Sequence, residues 1–198
     1  GRDLVNWNTN FTWAKWVTPS RDLINAFKKE GDEVRFKESV VYYDCKWSNY
    51  YPSDNYPFMY KCRSANSSII KYRYADVLLL KAEALIMQDT PDLDGAADII
   101  DEVRERAKLG ALSASTRSNK NAMLNALLKE RRLELAFEGQ RWFDLVRLDK
   151  VEEVMNAVYA KDSGRKAQVY AFDKTSYRLP IPQSVIDAND KIHQNPGY

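Results

Sequence analysis

Asp76 and Glu83 stand seven residues apart in a stretch that is otherwise almost wholly apolar, and positions i and i+7 fall on one side of a helix. Two carboxyls held together can serve as general acid and base; a glycoside hydrolase would need them about 5 to 10 Å apart across a cleft. The plainer reading is structural. Arg104, Arg131 and Arg132 stand in later helical segments, and a carboxylate facing a guanidinium across a helix interface ties two helices together. That reading predicts Asp76 or Glu83 within ion-pair distance of at least one of these arginines.

Residues 130 to 148 carry the same signal more strongly. Taken as helix at about 100° per residue, Arg131, Glu134 and Glu138 share a side with Leu124, Leu127, Leu128 and Leu135, where a solvated helix would keep charges opposite its leucines. Unpaired charge in an apolar interior is very costly, so all three must find partners among themselves or on a neighbouring helix.

A different chemistry is offered by residues 47 to 56, where flat rings alternate with amide, hydroxyl and carboxylate groups. A sugar ring has an apolar C–H face and a rim of hydroxyls, which suits aromatic platforms flanked by short polar side chains. Trp47, Asn49, Tyr50, Tyr51 and Tyr56 are therefore candidate ligand contacts, the alternative being that the rings cover a core from outside. Trp7, Trp13 and Trp16 share that ambiguity, whereas Trp142 lies on a helical stripe and reads as core.

No catalytic residue, metal site or cofactor site is expected. His193 is the sole histidine and reads as a surface tail residue, and neither Cys45 nor Cys62 has a close-spaced companion. Asp92-x-Asp94-Gly95 echoes part of a calcium loop, lacks its remaining ligands and reads as a helix cap. Glycine-rich phosphate loops and nucleophile elbows are absent. Cys45 and Cys62 either bridge in an oxidising compartment or pack as two thiols.

These residues need a scaffold, and 198 residues at 44% hydrophobic composition can bury one good core in a single domain, 1–198. A net charge of +2 gives no case for nucleic acid. The longest aliphatic run, Val77 to Leu80, is far short of the roughly 20 apolar residues a membrane-spanning helix needs. Gly1-Arg2-Asp3-Leu4 reads as mid-protein sequence without a leader or a lipidated cysteine.

Residues 1–68 read as loop-rich, with a helix after Pro19-Ser20 that stops at Gly31 and a short strand over 38–43. Residues 69–160 read as helical hairpins. The first pairs a buried helix, striped by Tyr74, Val77, Leu78, Ala82 and Leu85, with an amphipathic one lined by Ala96, Ile99, Val103 and Ala107, whose charges over 98–108 form a solvated face. After a polar linker at 113–118, a helix capped by Ser118 or Asn119 runs to about 137, and a fourth from Arg141 continues through Val154 and Val158, giving a second hairpin. Residues 161–198 read as a loop, with a possible strand at 169–172, and a proline-punctuated tail with a short helix over 184–188. The fold class is mainly α: TPR-like antiparallel hairpins, long aromatic-rich loops and little β structure.

Four stretches together resemble the C-terminal part of the SusD/RagB family: residues 72–84, Val103-Arg104-Glu105-Arg106-Ala107, residues 130–147, and Leu179-Pro180-Ile181-Pro182 through Asn195-Pro196-Gly197-Tyr198. Pro19 through Phe36 resembles the segment preceding them. The resemblance implies a surface-exposed, lipid-anchored outer-membrane protein, without enzymatic activity, that binds an oligosaccharide or polysaccharide. It also implies delivery to a SusC-like TonB-dependent transporter, with the lipid anchor lying outside this chain. The rival reading is a helical protein-interaction module without a small-molecule ligand.

Overall fold

The computed structural model describes residues 18–46, 49–61, 69–161 and 171–198. The chain divides into two compact units, Gly1–Arg141 and Trp142–Tyr198.

In the first unit, α1 (Arg21–Glu30) begins where Ser20 Oγ accepts the Leu23 N–H at 3.1 Å. It ends at Gly31, whose φ of 70° closes the last turn and which a side chain would strain. The chain re-enters a helix at once. Asp32 caps α2 (Glu33–Ser39) by accepting the Arg35 N–H at 3.1 Å, so this stretch, expected to be loop, is helical. Seven residues are too few for apolar periodicity to declare itself, and the cap is what starts the helix. From Val40 the backbone extends into β1 (Val40–Tyr43), antiparallel to β2 (Tyr56–Met59) in a register running from Val40 opposite Met59 to Tyr43 opposite Tyr56. The second strand was hidden by Pro57, which a two-stranded ribbon tolerates because alternate N–H groups point out of the ladder.

Next come α3 (Tyr74–Met87) and α4 (Leu93–Arg106), an antiparallel hairpin whose turn is fixed by Asp92 accepting the Gly95 N–H at 2.9 Å. The polar linker contains a single-turn helix, α5 (Ala114–Arg117). Asn119 then caps α6 (Lys120–Glu134), which packs on both members of the hairpin. Leu79, Ala82 and Ile86 of α3 meet Ala96, Ala97, Ile100 and Val103 of α4 and Met123 and Leu127 of α6 in one core. Phe27, Leu133 and Ala136 form a second cluster that ties α1 to the end of α6.

Two expectations need correction here. The α3 helix is not enclosed, since Tyr74 is 72% and Val77 52% exposed while Ala75, Asp76, Leu79, Ala82 and Ile86 are buried. A helix apolar all round has no amphipathic direction of its own, so packing against α4 and α6 selects the face. The third helix stops at Glu134, and the left-handed Phe137 (φ 66°) and Gly139 (φ 80°) turn the chain there. The α6 helix packs on the first hairpin as its third helix.

From Trp142 on, the second unit holds the rest of α7 (Arg141–Arg147), α8 (Val151–Lys161), a 3₁₀ turn (Lys174–Tyr177) and α9 (Gln183–Asp187). The expected continuous fourth helix is broken in two. The Lys150 N–H donates back to Leu145 O at 2.8 Å across Asp149 (φ 52°), a helix stop of the kind usually given to glycine. Leu145 and Val151 are buried on either side of the break. Trp142 is half-buried rather than core and meets Phe172 at 6.4 Å between centroids. Asn156 pins Phe172 by bonding both its N–H and its carbonyl at 2.9 Å. Ala171 and Phe172 form no strand, and the rest of the strand expected over 169–172 lies outside the described residues.

Candidate functional site

Two clusters gather the residues with chemistry. The first surrounds the last two turns of α6. Glu130 is fully buried and accepts from Arg35 Nη1 at 2.6 Å and Arg104 Nη1 at 3.2 Å. Glu134, one turn on, accepts from the same Arg35 nitrogen at 3.1 Å and from Arg73 and Arg106. Glu138 accepts from Arg73 Nε at 2.8 Å and pairs with Lys61. On the flank, Arg131 meets Asp76 at 2.9 Å, both inside the core, and Arg132 reaches Asp22 at 2.5 Å. Glu83 is half-buried on α3.

The electrostatics follow from this geometry. Burial by itself would push the Glu134 carboxyl up, but hydrogen bonds from Arg106 and Arg73 and the charge of both outweigh it and hold the group at about 2. Burial would likewise lower the Arg35 and Arg73 guanidiniums, and their carboxylate partners overcome it and raise both. A carboxyl held ionised in this way, as Glu134 is, has no proton to give at neutral pH. The arrangement braces α2, α4, α6 and the chain entering α3.

Arg35, Arg73, Arg106 and Glu130 escaped the sequence reading. Glu130 was within reach, because 130, 134 and 138 are spaced by one helical turn each. Arg35 lies on a seven-residue helix too short to show periodicity, and Arg73 precedes the first turn of α3, outside its apolar stripe. The charges of 98–108 are not simply a solvated face: Arg104 is 8% exposed, with its Nε donating to Gly110 O at 2.8 Å and its Nη1 to Glu30 at 2.7 Å. Long basic stems can run inward from an exposed helix edge.

The second cluster is aromatic. Tyr50 and Tyr51 stand edge to face at 4.9 Å, Tyr51 and Tyr56 at 5.5 Å, and Tyr56 leans on Phe58 at 5.2 Å. The Tyr51 hydroxyl donates to Pro19 O at 2.8 Å. The Arg21 guanidinium sits over both outer rings, 4.0 Å from the Tyr50 centroid and 4.5 Å from that of Tyr51, and donates to Tyr50 O. The Cys45 N–H donates to Ser53 O at 2.6 Å and closes the loop. Around it lies an open depression of about 890 Å³ lined by Arg21, Lys46, Asn49, Tyr50, Tyr51 and Ser53, among others.

Of the five candidate ligand contacts, Asn49, Tyr50 and Tyr51 thus share one depression. Tyr56 is only 2% exposed, with its hydroxyl 3.3 Å from Thr18 Oγ1, so it takes the packing role. Trp47 lies outside the described residues, as do Trp7, Trp13 and Trp16. Cys45 is a buried free cysteine, and Cys62 also lies outside the described residues. His193 is exposed on the tail.

Comparison with known proteins fits this geometry. The model of the SusD family matches residues 59–198. The chain is 33% identical over 142 residues to SusD-like protein P2 of Formosa agariphila, a match covering 69% of this chain and 27% of that protein. It is similar to a SusD superfamily protein from Bacteroides vulgatus in fold, with a TM-score of 0.68 at 24% identity over 91% of this chain and 44% of the other. A laminarin-binding SusD-like protein superposes with a TM-score of 0.59 at 27% identity, covering 91% of this chain and 38% of that one. The chain therefore spans between about a quarter and a half of the length of these relatives. With the helical stretches that suggested it now seen as the braced core around α6, the chain belongs to the SusD family.

Proposed function

We propose that this chain serves a non-enzymatic surface protein that captures a glycan or oligosaccharide and passes it to a SusC-like TonB-dependent outer-membrane transporter, the full protein being lipid-anchored to the cell surface. The observation that carries the reading is the depression around Tyr50 and Tyr51, where rings and short polar groups face solvent in a protein of the SusD family. The laminarin-binding relative supports a carbohydrate as the ligand class. A hydrolytic role is disfavoured by the state of the acids, since Glu130, Glu134 and Asp76 are enclosed and clamped by arginine.

Isothermal titration against a glycan panel tests the reading, with Trp47→Ala and Tyr50→Ala beside the wild type. Binding weakened about tenfold or more by Tyr50→Ala is expected, in line with the loss of one stacking ring. Unchanged affinity in either variant would exclude that ring as an anchor, and hydrolysis of any bound glycan would overturn the non-enzymatic assignment.

A docking role is favoured by one specific feature, the exposed apolar side chains Tyr74, Val77, Leu80 and Met87 along α3. Glycan binding in the titration above would exclude a module that has no small-molecule ligand of its own. Val77→Asp should weaken association with a protein partner if this face docks, and unchanged association would exclude it as the docking face.

A further inference from the structure

We infer that Arg21 is a positioning residue of the saccharide site: it fixes the Tyr50 and Tyr51 rings relative to each other, and sugar binding depends on it through those rings. This rests on the glycan-binding reading above and adds to it the residue that shapes the platform.

A ring on a loop serves as a stacking platform only when it is held, because side-chain freedom lost on binding is subtracted from affinity. Three points at the entry to α1 fasten the aromatic cluster. The Tyr56 hydroxyl lies 3.3 Å from Thr18 Oγ1, the Tyr51 hydroxyl donates to Pro19 O at 2.8 Å, and Arg21 Nη2 donates to Tyr50 O. Tyr51 is thus tied at its hydroxyl and Tyr50 at its carbonyl, and the guanidinium bridges the two rings. They stand at 88° to each other, and the same guanidinium lies 4.0 Å from one centroid and 4.5 Å from the other. One planar cation in the corner of a right-angled pair loses a ring face if either ring swings away, so it holds both.

Arg21 itself starts from a fixed base. It is the first residue of α1, whose Ile24 and Phe27 are buried, and its neighbour Asp22 pairs with Arg132 of α6 at 2.5 Å. Ring geometry in the loop is therefore set from the braced helices. Lysine would keep the charge at this position but has neither the flat face nor the forked donors that let one group touch two rings and a carbonyl.

The test combines titration with a ligand-free readout. Wild type, Tyr50→Ala, Arg21→Ala, Arg21→Lys and both Arg21 substitutions in the Tyr50→Ala background are titrated with neutral hexaoses: laminari-, cello-, malto-, xylo- and mannohexaose. For each hexaose that wild type binds, Arg21→Ala should weaken binding about fivefold and Arg21→Lys by a smaller factor. In the Tyr50→Ala background either Arg21 substitution should cost no more than about twofold further, since a residue acting through a ring has little left to position once that ring is gone. The lysine cycle keeps the test open if Arg21→Ala disturbs the loop. Raising salt from about 50 to about 500 mM should leave these affinities unchanged. Without sugar, fluorine NMR of fluorotyrosine-labelled protein, assigned with Tyr50→Phe, should show the Tyr50 signal moving toward that of free fluorotyrosine in Arg21→Ala. Losses that multiply in the double variants would mean that Arg21 contacts the sugar itself and would overturn the inference, as would wild-type affinity in Arg21→Ala or a Tyr50 signal that does not move; each leaves glycan capture standing. Absence of binding by wild type across the panel would remove the glycan reading and this inference together, even with the fluorine shift present.

Discussion

Arg35 and Arg21 lie on successive helices of one unit and are put to different uses. Arg35 is nearly enclosed, with Asp32, Glu130 and Glu134 all accepting from it. Arg21 rests against two tyrosine rings and lines an open depression. A charge matched inside the fold contributes rigidity and has almost no field left at the surface. A charge laid on aromatic faces orders the rings beneath it. The same residue type can therefore brace a core or order an aromatic loop, and what surrounds it decides.

The largest test of this contrast is Glu130→Ala, which would leave the Arg35 and Arg104 guanidiniums facing each other inside the protein. A loss of about 3–5 kcal/mol is expected from urea unfolding, as for breaking other buried ion clusters from one side. A loss below about 1 kcal/mol would mean the cluster is no brace.

Glu134 gives a pH signature. Its carboxyl sits at about 2 in the fold against an ordinary value near 4.5. The stabilisation is thus complete above about pH 4.5 and disappears as pH falls through 2, a term on the order of 3 kcal/mol. The stability difference between wild type and Glu134→Gln, followed by urea unfolding from pH 6 to pH 2 or so, should shrink across that window. A difference that stays constant would deny the carboxylate its role.

The aromatic side should behave in the opposite sense. Tyr50→Ala should cost stability only about 1 kcal/mol, because the ring is half-buried at the edge of its cluster, yet reduce glycan affinity far more. The smallest effect is expected for Lys37→Ala. Its pairing with Glu33 is exposed at both ends, and stability should move by no more than about 0.5 kcal/mol. That null result beside the Glu130 result would show burial, not mere pairing, to be what counts.

How far the sequence could be read follows the same division. Caps and stops were legible because they are local: Ser20, Gly31, Asp92 and Asn119 act within four residues of themselves. Misplaced charge announced Arg131, Glu134 and Glu138, since leucines on the same side demanded an explanation. Partners were less legible. Arg73 precedes its helix and Arg35 sits on a seven-residue one, so neither stands in a pattern that predicts where its side chain goes. The exposed face of α3 and the break at Asp149 depend on tertiary packing and on a left-handed residue that is not glycine, which periodicity does not register. In the depression, ring chemistry pointed to Tyr50 and Tyr51, but the contribution of Arg21 came only with three dimensions.

The brace also dictates an order of assembly. Arg35 finds its acids 95 and 99 positions further on, and Asp22 waits 110 positions for Arg132. During synthesis the early segment must leave the ribosome with these groups in water, and it can lock only after residue 134 has emerged. Closing loops of that length is slow compared with zipping the α3–α4 hairpin, so the hairpin should form first and the amino-terminal helices should be fastened to it last.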